Sequence, residues 1–362
     1  MRTPTPRNPR SATAGVVALI VVLAGCRSAS GPSTASEFLL GTIISVTVHD
    51  EDHDEAAIEA VFGRVAEIEA RMSTSVEDYD TTELLEVNRA AGVDAVVVSP
   101  DTFEVLEAAA HYSRITEGAF DVTIWPLVTL WGIGSGGDTV PSPERIETAR
   151  ALVDHTRLSL DPATREVQLA TPGMGVDVGA IAKGYAADEA ERILREAGVE
   201  RALLDFGGNI LVIGSRPDDT PWRIGVQRPD AERTQFIGIV YAADQTVVTS
   251  GPYERFFEQD GVRYHHILDP ATGYPARSGI EQVTIIARRS MDADALSTSV
   301  FIMGLERGMA LVESLGGVEA IFVTDTHEVH LSSGVGTSFT LTDERYRIVE
   351  EAPGAIGDAS SR

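Results

Sequence analysis

Lys183 is the only lysine in a chain that carries 28 arginines. A lysine ammonium is compact and strongly hydrated, whereas an arginine guanidinium is a planar fork, so the two do not interchange at a close contact. Lys183 lies in Val176-Asp177-Val178-Gly179-Ala180-Ile181-Ala182-Lys183-Gly184-Tyr185, a glycine-punctuated entry to a helix. That setting favours a site over chance survival in an arginine-biased composition. Asp294 and Thr298 are four residues apart on a predicted helix, so both project from one face. A carboxylate and a hydroxyl are hard oxygen ligands that suit Mg²⁺, which takes few protein ligands and completes its shell with water and phosphate. Capping of the helix by Asp292 and Asp294 is the competing reading. His265 and His266 run off a predicted strand into Asp269-Pro270-Ala271-Thr272-Gly273-Tyr274-Pro275. Strand alternation turns one of them inward, and an imidazole there could act as a general base. Asp205-Phe206-Gly207-Gly208-Asn209 permits close backbone approach, with a hairpin turn as its default reading. There is no P-loop, dinucleotide fingerprint or nucleophile elbow.

The elements that must position these residues follow from periodicity and punctuation. Ile58, Val61, Phe62, Val65, Ile68 and Met72 recur at helical spacing over 54–72. Ser99-Pro100-Asp101 starts a helix running to 117, and Ser142-Pro143-Glu144 starts a shorter one. Residues 119–142 are aromatic and glycine rich without clean periodicity and read as a functional loop or lid. A helix over 181–197 is closed by Gly198, and another over 292–303 by Gly304. Strands are expected at 41–48, 157–170 as a hairpin, 201–206, 210–214, 222–227, 236–241, a hairpin of 254–259 with 262–267, 283–287, 318–324, 327–331 and 338–342. Strands and helices mix without a strict βαβ repeat, which predicts an α+β fold.

Composition narrows the function classes. Asp and Glu number 55 against 29 Lys and Arg, for a formal net charge of −26. Such a surface repels nucleic acid and anionic lipid, so a phosphate-bearing ligand needs local cations or a metal. The N-terminus reads as an export signal over 1–25: Arg2, Arg7 and Arg10, then an apolar run too short for a comfortable span, ending Leu23-Ala24-Gly25-Cys26. Cys26 is the only cysteine and follows small residues, as in a bacterial lipobox. The expectation is a lipid-anchored, extracytoplasmic protein on the periplasmic side. A flexible tether is expected over 26–37, one catalytic domain over 38–345 and a disordered tail over 346–362.

In chain order, Leu40-Gly41-Thr42, Gly118-Ala119-Phe120-Asp121, the Lys183 segment, Asp205 to Asn209, the His265 to Pro275 stretch and Asp292-Ala293-Asp294-Ala295-Leu296-Ser297-Thr298 resemble the ApbE family, the FAD:protein FMN transferases. The resemblance spans roughly 38–342 and implies a T-fold-like architecture of mainly antiparallel sheets with packed helices. It implies FAD bound as its Mg²⁺ complex. Asp294, Thr298 and the Ala180 carbonyl would hold the metal, which reverses the capping reading of Asp294. Flavin contacts would come from Leu40, Ala119, Phe120, Asp121, Asp177, Lys183 and Ile267. The implied chemistry moves FMN onto a Thr or Ser hydroxyl of a partner protein, a subunit of a membrane redox complex, with AMP leaving. His266 is the chosen general base and His265 the alternative. FAD hydrolysis to FMN and AMP, or flavin binding without catalysis, are the other outcomes compatible with these motifs. Two positions depart from the pattern: Leu40 stands where many members have Met, and Met72-Ser73-Thr74-Ser75 lacks a Tyr common near the flavin, with Tyr79 four residues on.

Overall fold

The structure, a computed structural model, describes residues 31–50, 55–75, 79–229, 231 and 234–349. The expected export signal, Cys26 and the part of the expected tail from 350 onward lie outside the described residues.

A nine-stranded sheet organises the fold. Its spatial order is Ser33–Leu39, Thr42–Val48, Ala202–Phe206, Asn209–Ile213, Gln245–Ser250, Ile280–Ala287, Glu319–Thr324, Glu328–Leu331 and Arg347–Ile348. Every neighbouring pair is antiparallel except the last. The α+β, mainly antiparallel class predicted from the sequence is the one found. The central strands are buried on both faces. Leu211, Val248 and Ile285 enter one core while their neighbours Val212, Val247 and Ile286 enter the other.

Seven α-helices occur among the described residues: α1 (Glu55–Met72), α2 (Glu83–Arg89), α3 (Pro100–Ile115), α4 (Trp125–Trp131), α5 (Pro143–Arg150), α6 (Ala182–Glu196) and α7 (Ser290–Ser314). Helices α1, α3, α6 and α7 supply the larger core on one sheet face. The apolar stripe of α1 buries the six residues that its periodicity picks out. A three-stranded sheet of Trp222–Gln227, Phe236–Ala242 and Phe339–Leu341 covers the opposite face. Burying a large side chain such as Phe301 in the larger core or Phe339 in the smaller one contributes about 1.5–3 kcal/mol each, so both layers matter to stability.

Several boundaries differ from expectation. The chain joins the sheet at Ser33, inside the segment expected to be a tether, and its last strand, Arg347–Ile348, lies past the expected domain end. Residues 119–142 are not a loose lid. They contain α4, whose Leu127 and Trp131 form a satellite core with Ile146 and Leu268, and Trp131 Nε1 donates to the Gly273 carbonyl at 2.8 Å. Gly304 does interrupt helical geometry, at φ 78° and ψ 179°, but a second helical segment follows it within α7. That helix is apolar and long enough to pass as a membrane span by length and composition, yet the break and its buried face mark it as a core element.

Candidate active site

Helices α6 and α7 cross at their N-terminal ends, and each end is capped by the other helix. Neither has a side-chain cap of its own: Ile181 and Arg289 occupy the N-cap positions. The four leading N–H groups of a helix need partners from elsewhere. Asp188 of α6 accepts from the backbone N–H of Ser290 at 2.6 Å and of Met291 at 3.0 Å. Asp294 of α7 accepts from the N–H of Gly184 at 3.0 Å. The crossing is close enough that a Cβ on Gly184 would lie 2.3 Å from the Ser290 carbonyl oxygen. Glycine is therefore required there for want of space.

Asp294 is buried, at 3% exposure, and its other partner is the lone lysine. Lys183 Nζ donates to Asp294 Oδ1 at 2.9 Å and to Oδ2 at 3.3 Å. Two motifs picked out separately in the sequence thus meet in one ion pair. Asp294 does cap a helix, but the helix is α6 rather than its own. Gly184 lies in the first turn of α6, where an N–H has no acceptor in its own helix. Its N–H goes to Asp294 instead, and the Ala180 carbonyl accepts no hydrogen bond among the described residues. Thr298 lies one turn beyond Asp294, half-buried, with its Oγ1 3.5 Å from Ser250 Oγ. Carboxylate, free carbonyl and hydroxyl form an oxygen-only donor set on two rigid helix ends, which fits the few-ligand habit of Mg²⁺. Among the described residues no cluster of three or more His, Cys, Asp or Glu is placed to hold a metal, so a nitrogen- or sulfur-rich centre has no counterpart.

The remaining candidates differ in their side-chain roles. Leu40 sits at φ 51° in the turn joining the first two strands, and the Arg255 guanidinium donates to the adjacent Gly41 carbonyl at 3.1 Å. Asp177 accepts from Gly179 N–H at 2.8 Å and from Thr74 Oγ1 at 2.7 Å. Thr74 thus occupies the stretch where the family Tyr is absent, and Tyr79 stands half-buried beyond residues 76–78, which are not described. Asp177 N–H also bonds the Val122 carbonyl at 2.9 Å, which ties the Ala119-Phe120-Asp121 segment to the entry of α6. Ala119 is half-buried. Phe120 points into the core against Tyr112, and Ile267 is likewise buried, so ligand contact from those two positions falls chiefly to their backbone. Asp121 is engaged internally, accepting from Thr123 N–H and Oγ1 and from His155 N–H at 2.8, 2.6 and 3.0 Å.

The two histidines separate cleanly in space. His265 is buried, with its ring edge-on to Phe301, and its Nε2 donates to the Ala276 carbonyl at 3.0 Å. Its Nδ1 is buried without a partner. Burial lowers its pKa. His266 is reached by solvent, and its Nδ1 lies 3.3 Å from the Arg255 carbonyl. A carbonyl only accepts, so the network assigns the proton to Nδ1 and leaves the Nε2 lone pair free. Desolvation by the protein packed around it, then the Arg255 guanidinium and more weakly Lys183, pull the His266 pKa down to about 4. Solvent at the ring screens part of that effect, and the imidazole is neutral at pH 7 in either case. This value is lower than the near-neutral pKa expected for a base from sequence.

Asp205 to Asn209 is a hairpin turn, with Gly207 at φ 68° and Gly208 at φ 93°, the mirror-turn geometry that paired glycines supply. Its contribution to the site is indirect: Asn209 Oδ1 accepts from Ser290 Oγ at 2.7 Å and so steadies the start of α7. Cavities of about 400 and 300 Å³, lined by Arg216 and Trp222 and by Asn88 and Trp125 respectively, include none of these converging residues. The Lys183–Asp294 pair lines neither of these two hollows. Arg255 and Ser250 had no sequence signal, being single residues outside any motif.

Known proteins align with most of this chain. A Klebsiella pneumoniae protein named FAD:protein FMN transferase is 38% identical over 87% of this chain and 96% of its own length. One of the same name from Treponema pallidum is 35% identical over 91% and 96%. Among solved structures, the ApbE protein of Thermotoga maritima superposes with a TM-score of 0.76 at 33% identity, covering 84% of this chain and 97% of that one. The flavin transferase ApbE of Vibrio cholerae gives 0.75 at 30% identity, covering 85% and 99%. The ApbE family model matches residues 40–322, which include every converging group described above, and the chain belongs to the ApbE family.

Proposed function

We propose that this chain is a Mg²⁺-dependent FAD:protein FMN transferase that moves FMN from FAD onto a Thr or Ser hydroxyl of a partner protein and releases AMP. The observation that carries the reading is the α6–α7 junction, where the Asp294 carboxylate bonds the only lysine and the Gly184 N–H, the Ala180 carbonyl accepts no hydrogen bond among the described residues, and Thr298 follows one turn along α7. Asp294, the Ala180 carbonyl and Thr298 would hold the metal, which when bound would offset negative charge on the FAD diphosphate. That pairing also answers how a chain of net charge −26 accepts an anionic substrate.

The other groups have roles that follow from their placement. Lys183 is half-buried and bonded to Asp294, so its ammonium is available to an anionic ligand that competes for it. The Leu40 turn, Ala119 to Asp121, Asp177 and Ile267 would frame the flavin. His266, neutral and with Nε2 free, accepts the proton of the acceptor hydroxyl as that oxygen bonds to the FMN phosphorus. The bond from that phosphorus to the bridging oxygen breaks, and AMP carries the bridging oxygen away. The expected setting is extracytoplasmic, with the chain lipid-anchored at Cys26 and acting on subunits of membrane redox complexes.

Incubation of the protein with FAD, Mg²⁺ and a candidate acceptor, read by intact mass, tests the proposal. An FMN mass increase on the acceptor that disappears with EDTA is expected. AMP release in the absence of any acceptor, with no adduct across several acceptors, would instead assign hydrolysis of FAD.

A further inference from the structure

Three hydroxyls at the junction form a chain whose direction is fixed from one end. Ser297 Oγ lies 3.0 Å from the Asp294 backbone carbonyl, which can only accept, so Ser297 uses its single proton there. Ser250 Oγ lies 2.8 Å from Ser297 Oγ, and with the Ser297 proton engaged Ser250 must be the donor. Thr298 Oγ1 lies 3.5 Å from Ser250 Oγ, and by the same logic Thr298 is the donor of that longer contact. The Thr298 hydroxyl hydrogen is thereby directed at Ser250, and its oxygen lone pairs are left for something else.

Ser297 has a second effect. A helical threonine often turns its hydroxyl back to the carbonyl four residues earlier, which for Thr298 is Asp294. That carbonyl already takes the helical N–H of Thr298 and the Ser297 hydroxyl. With both of its lone pairs engaged, the self-bond that would hide Thr298 Oγ1 is blocked. A hydroxyl that binds a hard cation needs its proton held elsewhere and its lone pairs exposed, and outer partners commonly set that orientation.

We propose that Ser250 and Ser297 are positioning residues that act through Thr298, holding its oxygen lone pairs toward the divalent cation that accompanies the FAD diphosphate. This rests on the metal reading given above. The test measures Mn²⁺ binding to the full chain by the loss of free-ion electron paramagnetic resonance signal, with saturating FAD and no acceptor. Ser250→Ala is expected to weaken Mn²⁺ binding about 10-fold, at the lower end for outer-shell partners, and Ser250→Thr to restore it. Ser297→Ala, which frees the Asp294 carbonyl for Thr298, is expected to give a loss of the same order. Added to Thr298→Ala, Ser250→Ala should cause no further loss, because its effect passes through the missing hydroxyl. Wild-type Mn²⁺ affinity in both serine variants, with Thr298→Ala impaired, would overturn this proposal and leave the metal site standing. An equal loss from Ser250→Ala in the presence or absence of the Thr298 hydroxyl would also overturn it, as a merely structural effect. Unchanged affinity in Thr298→Ala would overturn the metal reading itself and this proposal with it.

Discussion

Gly184→Ala should destabilise the protein although it replaces a poor helix former with the best one. The new Cβ would stand 2.3 Å from the Ser290 carbonyl oxygen and 2.6 Å from Met291 Cα. Both are backbone atoms, so no side-chain rotation relieves the contact and the two helices must part. Overpacking of this kind costs about 1–3 kcal/mol. Separation also stretches the 3.0 Å bond from Gly184 N–H to the buried Asp294 carboxylate, and a hydrogen bond to a charged group contributes about 1.5–3 kcal/mol. Helix propensity returns about 1 kcal/mol, leaving a net loss of about 1.5–5 kcal/mol. Gly63 supplies the contrast: it is an exposed glycine within α1 with nothing within 4 Å of its would-be Cβ. Gly63→Ala should therefore gain up to about 1 kcal/mol. Urea unfolding followed by circular dichroism measures both variants. A Gly184→Ala variant as stable as wild type, beside the expected gain at Gly63, would refute the argument that the crossing leaves no room.

Three further predictions concern charge. Burial pushes the Asp188 carboxyl up to about 6, although the Met291 and Ser290 N–H groups hold it down in part. The folded protein thus binds that proton more tightly than the unfolded chain, so ionising Asp188 costs stability. Relative to Asp188→Asn, wild type should lose stability as pH rises from the ordinary aspartate value of 3.8 through about 6 and level off above; parallel urea midpoints across that window would contradict the assignment. His266→Ala should lower flavin transfer by about 10²–10⁴-fold while FAD binding persists, as loss of a general base does, and the acid limb of wild-type kcat/KM should fall below pH 6.5 because the His266 pKa is lowered; an acid limb at or above 6.5 counts against His266 as the base. Lys183→Arg should raise the FAD concentration needed for half-saturation more than it lowers kcat, since the larger planar fork can still grip the Asp294 carboxylate but cannot present a compact ammonium at the Nζ position to a ligand; equal FAD affinity would return Lys183 to an ordinary surface-side cation.

What could be read before the structure depended on how local each signal was. The stripe of α1 and the glycine at 304 are local, and both appear where periodicity and punctuation place them. The strand Gln245–Ser250 had no such signal. Only Val247 and Val248 are apolar within it, and Thr246 is buried because Ile210 and Ser290, far apart in sequence, satisfy its hydroxyl. Helix α4 is likewise fixed by a bond across the fold, from Trp131 to Gly273. At the site, Lys183, Asp294 and Thr298 were legible because each sits in a dense motif. Their pairing was not, because the ion pair joins residues 111 positions apart. Single residues such as Arg255 and Ser250 gain meaning only from their neighbours in space, as does the difference between His265 and His266.

The mutual capping of α6 and α7 also limits how this protein can diversify. Asp188 serves the start of α7 and Asp294 serves the start of α6, so each carboxylate is encoded in one helix and needed by the other. A recombination event that replaced either helix alone with one from an unrelated background would leave orphaned N–H groups at a buried crossing and a mismatched acid beside them. The two segments, more than a hundred residues apart in the gene, are therefore expected to be inherited as a single cassette. Chimaeras should fold when both helices come from one parent and fail when one helix comes from a parent that lacks the acid its partner needs.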